Sequence, residues 1–209
     1  MGATHRRSRL GTWSAVLTDL GYLLLAAFPA RTRLLARYFR FRYRRLAPSY
    51  EDLTAAHPGY GDALRLGLER CGVAPVACAD VAAGTGAASR MIRARYPSAR
   101  VVAVDLSAEM LREWRTVQDI GRIVGDAWAL PLASGGLDLA VTQNAPACFD
   151  ELSRIVRPGG VVLFSLSTAG PLPGRLRTWL LRRALPDGLT LLSETAVGRG
   201  ITWLLEKRP

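Results

Sequence analysis

The chain has 209 residues, 49% of them apolar, enough for one sizeable domain with a buried core. Its three cysteines (Cys71, Cys78, Cys148) lack metal-ligand spacing, and its two histidines (His5, His57) cannot build a metal cluster or an acyl-transfer triad. The net charge of +11 is concentrated: residues 1–50 hold ten arginines against Asp19 (+9), and residues 51–209 hold 18 basic against 16 acidic residues (+2).

The odd cysteine number suggests a reducing compartment, with the thiols used as small apolar residues. Lys207 is the only lysine. In chain order, "WSAVLTDLGYLLLAAF" (13–28) comes first, and Thr18 and Asp19 interrupt it. A spanning helix needs about 20 apolar residues in a row, and this run falls short. The preceding "HRRSR" gives it the look of a signal peptide. A body that uses a cytosolic cosubstrate, as its motifs imply, speaks against export and for a cytoplasmic protein.

In "RTRLLARYFRFRYRRL" (31–46), Arg33, Arg37, Arg40 and Arg44 recur at helical spacing, with Leu35, Tyr38, Phe39 and Leu46 opposite and Phe41 and Tyr43 flanking. Arg42 interrupts the apolar side. Three readings fit. A basic helix rich in aromatics suits an anionic membrane surface, on the inner face for a cytoplasmic protein. It also suits a cap whose arginines are simply solvated. The third, gripping RNA through phosphates and stacked bases, has no recognisable RNA-binding domain behind it. Residues 1–46 are therefore set apart as a basic helical segment from a body over 47–209.

The body alternates. "YGDALRLGLERCG" reads as a helix closed by Gly72, and "VACADV" as the first strand. A glycine turn follows, then the helix "AASRMIRARYP" with Ala88, Met91 and Ile92 on one side and Pro97 as its stop. "ARVVAVDL" is a second strand, apolar throughout as a buried parallel strand is. "SAEMLREWRTV" is a helix with Ser107 as N-cap. "GRIVGDA" and "LDLAVTQ" are strands three and four, "CFDELSRIV" is a helix, and "RPGG" turns the chain into strand five, "VVLFSL". After the helical "LRTWLLRRAL", "LTLLSETAV" and "ITWLLEKR" flank "GRG" as an antiparallel hairpin. The expected fold is α/β: a Rossmann-like, doubly wound, seven-stranded sheet, parallel except for the C-terminal hairpin.

Open parallel sheets bind ligands at the carboxyl ends of their strands. The turn 82–86, Asp105, Asp126 and "QNAP" converge there. Asp80, at the mouth of the turn, argues against a dinucleotide. A carboxylate about 4 Å from a phosphate costs on the order of 4 kcal/mol per charge pair at an effective dielectric near 20. The third glycine of G-x-G-x-x-G is also missing, since Ser89 stands there. S-adenosylmethionine, which carries an ammonium and a sulfonium and no phosphate, suits such a turn better.

The order "DVAAGTG", "VVAVDLSAEML", "VGDAWALPLASGGLDLAV" and "ELSRIVRPGG" resembles the class I S-adenosylmethionine-dependent methyltransferases, above all the small-molecule branch that includes quinone-biosynthesis methyltransferases. The resemblance covers residues 47–166. It implies that Asp80, Ala82, Gly84 and Gly86 form the loop beside the methionine part of the cofactor. It implies that Asp105 binds the ribose hydroxyls, Leu106 packs on the adenine, and Asp126 lies at the adenine amino group with Ala127 beside it. Gln143 falls near the methionine moiety, and Tyr50, in "APSYEDL", covers the cofactor. His57 is the candidate base and Cys148 a packing residue; no metal is implied.

The pattern is broken twice. Ala82 replaces a glycine, which is harmless only if the backbone there is not left-handed. The stretch "QNAPACFD" is short where relatives carry acceptor contacts. The expected activity is methyl transfer to a small, apolar acceptor. The alternatives are a catalytically inactive binding module of the same fold and an RNA methyltransferase.

Overall fold

The computed structural model describes residues 32–114, 119–168 and 174–209. The apolar run 13–28 lies outside the described residues, as do the side chains of residues 32–36. Helix α1 (Thr32–Leu46) is followed by a short 3₁₀ turn (Ala47–Ser49), α2 (Tyr50–Ala55) and α3 (Asp62–Arg70). The alternating part runs β1 (Ala77–Val81), α4 (Ala87–Arg95), β2 (Arg100–Asp105), α5 (Ala108–Arg112), β3 (Ile120–Val124), β4 (Leu137–Gln143), α6 (Phe149–Ile155) and β5 (Val156–Leu166). Helix α7 (Gly174–Ala184) leads into the hairpin β6 (Leu189–Val197) and β7 (Gly200–Lys207). Among the described residues no helix is long and apolar enough to cross a membrane.

The seven strands form one sheet in the order β3-β2-β1-β4-β5-β7-β6. Strands β1 to β5 pair in parallel, and β7 runs antiparallel between β5 and β6. The period of two sorts the apolar strands onto both faces. Leu139, Val141, Val161, Leu163 and Leu204 pack with Leu64, Leu68 and Ile92 of α3 and α4. Ala140, Val162, Phe164, Trp203 and Leu205 pack with Phe149, Leu152 and Ile155 of α6 and Leu181 of α7. A sheet covered on both sides is why β2, β4 and β5 read as apolar runs. The sole lysine closes the carboxyl end of α6, Lys207 Nζ donating to Ser153 O (2.8 Å) and Val156 O (2.9 Å).

Three expectations need correction. The helix expected over 107–117 keeps its cap, Met110 N donating to Ser107 Oγ, but ends at Arg112. Trp114 leaves the helix to pack against the glycine turn. "RPGG" does not precede strand five; it lies within β5, where the register with β4 jumps from Leu137↔Val156 to Leu139↔Val161. Gly160 fits this bulge because a Cβ there would fall 2.8 Å from the Arg157 carbonyl oxygen. In α1, Tyr38 belongs to the solvent side, whereas Arg40 reaches a cleft at the switch point of the sheet.

The chain leaves β1 for β2 and β3 on one side and resumes at β4 on the other, so the topological switch lies between β1 and β4. Their carboxyl ends open a crevice there.

Candidate functional site: a cleft at the switch point

Three left-handed residues bend the chain out of β1: Ala82 (φ 60°), Gly84 (φ 55°) and Gly86 (φ 86°). The condition under which Ala82 would be harmless is therefore not met. The turn is held from three sides. Ala83 N donates to Val104 O (3.1 Å), Gly84 N to Asp105 Oδ2 (2.8 Å), and Trp114 Nε1 to Gly84 O (2.8 Å). The Trp114 ring lies so close that a Cβ on Gly86 would sit 2.6 Å from it.

Asp80 is 1% exposed and enclosed at the base of this turn. Its Oδ2 accepts from Ser89 Oγ at 2.5 Å, and its Oδ1 has no partner among the described residues. Burial pushes the carboxyl up to about 7; the Ser89 hydroxyl opposes that rise and the charge of Asp105 adds to it. Ser89, the residue that breaks the dinucleotide pattern, is thus the partner that makes a buried Asp80 tolerable.

Asp105, at the end of β2, is aimed by two backbone amides: Ser107 N donates to Oδ1 (2.8 Å) and Gly84 N to Oδ2 (2.8 Å). Burial raises its pKa, and those amides offset part of the rise. Each oxygen keeps a lone pair for a further donor. Leu106, Met110, Ala127 and Trp128 stand beside it on the cleft wall. Asp126 uses one oxygen locally, Trp128 N donating to Oδ1 (3.0 Å).

The cleft, open to solvent at its mouth, holds about 680 Å³ of space not filled by atoms, the open mouth included. A recess of about 290 Å³ continues past the turn, between Tyr50, Tyr60 and Thr85. Tyr50, Ala82, Gly84 and Gln143 line both. Eight of the ten residues expected at a cofactor line the cleft: Tyr50, Ala82, Gly84, Asp105, Leu106, Asp126, Ala127 and Gln143. Asp80 and Gly86 do not; they shape the turn from behind.

Gln143 is fixed by Nε2 donating to Tyr60 O (2.8 Å). Asn144 locks against the end of β5, Ser167 N donating to Asn144 Oδ1 (2.7 Å) and Asn144 Nδ2 to Ser167 Oγ (2.8 Å). His57 lines neither cavity; its Nε2 pairs with Thr168 Oγ1 (3.1 Å) and Nδ1 has no partner among the described residues. The candidate base therefore does not reach the cleft. Cys148 is buried and free, with its thiol pushed up by burial, as a packing residue is.

Sequence reasoning missed Phe39, Arg40, Tyr43 and Trp128 as cleft residues, whereas Asn144 lies in the "QNAP" stretch expected there. The α1 residues carried a usable signal, since Phe39 and Tyr43 are four apart and share a helical face. Phe39 stacks on Tyr43 (centroids 6.2 Å), and Tyr43 meets Tyr50 edge-on (6.1 Å). This aromatic row leans over the cleft from outside the sheet.

Comparison with known proteins agrees with this geometry. Residues 78–160 match the family described as "Methyltransferase domain". The chain is 32% identical over 166 residues to the malonyl-[acyl-carrier protein] O-methyltransferase of Methylococcus capsulatus, covering 74% of this chain and 59% of that protein. It is 33% identical over 170 residues to the enzyme of the same name from Enterobacter lignolyticus, covering 78% and 66%. The chain thus spans about three fifths of the length of these curated relatives. Among solved structures, the 1,6-didemethyltoxoflavin-N1-methyltransferase of Burkholderia thailandensis, solved with S-adenosylhomocysteine, superimposes with a TM-score of 0.63 at 17% identity, over 84% of this chain and 89% of that one. The strand order, the acid-and-glycine turn, the ribose-type acid after β2 and these matches together place the chain among the class I S-adenosylmethionine-dependent methyltransferases.

Proposed function

We propose that this protein binds S-adenosylmethionine in the cleft and methylates a carboxylate on a small acceptor, working on the cytoplasmic face of the membrane. Asp105 carries the cofactor reading: a buried carboxylate aimed by two backbone amides into a cleft, with acceptor capacity left for two hydroxyls. In its ionised form Asp80, with Oδ1 unpartnered, adds negative potential behind the turn, and a cationic ligand there would favour that form over the neutral one that burial promotes. Leu106, Met110, Ala127 and Trp128 suit an adenine. Gln143 and Tyr50 suit the methionine end, since they line the cleft and the recess behind the turn alike.

The cofactor supplies a methyl group on a sulfonium leaving group; the chain supplies positioning. Among the cleft-lining residues there is no histidine, lysine or cysteine to serve as base. A carboxylate acceptor needs none, being ionised already at neutral pH. Arg40 stands on the cleft wall with no acidic partner among the described residues, a cation placed to pair with such a group. The relatives named above act on a malonyl group, which ends in a carboxylate. The membrane part of the proposal is supported by the arginines of residues 31–46 and by the exposed Tyr38 and Phe41.

Calorimetry with S-adenosylhomocysteine tests the cofactor site. Asp105→Ala is expected to weaken binding by about 10- to 100-fold, the equivalent of losing hydrogen bonds to a charged group. No binding by the parent protein, or equal binding by the variant, refutes the site. A second reading, an inactive binding module, is favoured by the connection from β4 to α6, only Asn144–Cys148. Cofactor binding without methyl transfer to malonyl thioesters and other carboxylates would select it.

A further inference from the structure

We infer that α1 is a lid whose helicity is coupled to an anionic lipid surface, so that the protein holds its cofactor more tightly on a membrane than in solution. The inference rests on the cofactor reading above and adds a control over that same site.

Helix α1 has two opposed working faces. Phe39 and Tyr43 turn inward and, with Arg40, form the outer wall of the cleft. Tyr38 and Phe41 turn outward, 54% and 56% exposed, in a ring of Arg37, Arg44 and Arg45 that is exposed as well. The Arg45 guanidinium lies 4.5 Å over the Phe41 ring. An aromatic ridge inside an arginine ring matches the interface of an anionic bilayer, where rings sit at headgroup level and guanidinium groups meet phosphate.

Among the described residues α1 packs against α5 and the 47–49 turn, and Tyr43 meets Tyr50 edge-on. Its ion pair Arg44 Nε to Glu109 Oε1 is long (3.7 Å), with Arg44 70% exposed. The helix carries six arginines in 15 residues and no acid. Arg37, Arg40 and Arg44 follow one another at three- and four-residue spacing, where like charges repel and oppose the helix. An anionic surface removes that repulsion and orders α1. The ordered helix then presents Phe39 and Tyr43 to the cleft. Whatever orders α1 first lowers the entropic cost for the second ligand, which makes the coupling positive.

The test uses the full chain, S-adenosylhomocysteine and two vesicle types: phosphatidylcholine alone, and phosphatidylcholine with phosphatidylglycerol in equal parts. The mixed vesicles are expected to lower the Kd for S-adenosylhomocysteine about five-fold or more, and the neutral ones to leave it unchanged. Reciprocally, S-adenosylhomocysteine should raise vesicle association by the same factor. The double variant Tyr38→Ser, Phe41→Ser should bind S-adenosylhomocysteine in solution like the parent and lose the vesicle-induced gain. Flotation with the mixed vesicles but no change in Kd overturns the coupling and leaves the cofactor site standing. No flotation overturns the lipid partner. An unstructured RNA that produces the same gain and strips the protein from vesicles replaces it. Absence of S-adenosylhomocysteine binding under every condition, flotation notwithstanding, removes the cofactor reading and the coupling with it.

Discussion

Ala82 is the residue at which this chain departs most sharply from its own local chemistry. Its φ of 60° puts a methyl-bearing residue in the region that favours glycine. The two flanking hydrogen bonds, from Ala83 N and Gly84 N, hold the turn in that shape regardless. The expected result is that Ala82→Gly stabilises the protein by about 1 kcal/mol, the left-handed penalty less the extra freedom glycine gives the unfolded chain. Urea unfolding with unchanged slope and a raised midpoint is the signature; a lowered midpoint would show that the alanine methyl makes a contact worth more than the strain. Ser89 is the complementary case. As a missing glycine it had only a negative meaning in the sequence. In three dimensions its hydroxyl is the partner of Asp80, a contact between residues nine apart on a strand and a helix.

At the scale of elements, the glycine turn and the end of α5 form one unit. Trp114 donates to Gly84 O and covers Gly86, so its departure from the helix after Arg112 has a cause in packing. Gly86→Ala should therefore be costly twice over, through its φ of 86° and through a Cβ 2.6 Å from the indole. A loss of at least about 2 kcal/mol in unfolding free energy is expected, from strain and overpacking together. Shrinking the indole in a Trp114→Leu background should relieve the packing share and leave the backbone share. Equal losses in both backgrounds would show that the ring yields without resistance. The β4-to-α6 connection has the opposite character: the five residues Asn144–Cys148 are short, and Asn144 ties them to Ser167. That leaves α1, rather than a loop after β4, as the outer wall of the cleft.

For the whole molecule, the buried Asp80 makes a signed prediction about pH. Its pKa rises from 3.8 unfolded to about 7 folded, so the folded state binds this proton more tightly. The stability it contributes is full below about pH 4 and is lost as pH climbs through 7, by at most about 1.4 kcal/mol per unit in that window. Asp138 and Glu151, held below their ordinary values largely by Arg157 and Arg154, act in the opposite sense and only in more acidic solution. Chemical unfolding at pH 5 and pH 8 should show the parent weaker at pH 8, and Asp80→Asn should flatten the difference. An unchanged difference in the variant would assign the dependence to other groups.

The sequence by itself determined the strand-and-helix alternation, the antiparallel closing hairpin and the acid-and-glycine turn. These depend on periodicity, on glycine and on residues close together in the chain. Asp105, Leu106, Asp126 and Ala127 were legible for the same reason: in a parallel sheet every strand's carboxyl end points to one crevice, so position after a strand is position at the site. Only the tertiary structure decided the sign of φ at Ala82, the pairing of Ser89 with Asp80, the exclusion of His57 from the cleft and the inward turn of Phe39, Arg40 and Tyr43. Those outcomes depend on how separate elements meet in space, whether the partners are nine residues apart, as Ser89 and Asp80 are, or 111 apart, as His57 and Thr168 are. A helix with aromatics on several sides offers more than one face to bury, and the position of the cleft beside α1 selected among them.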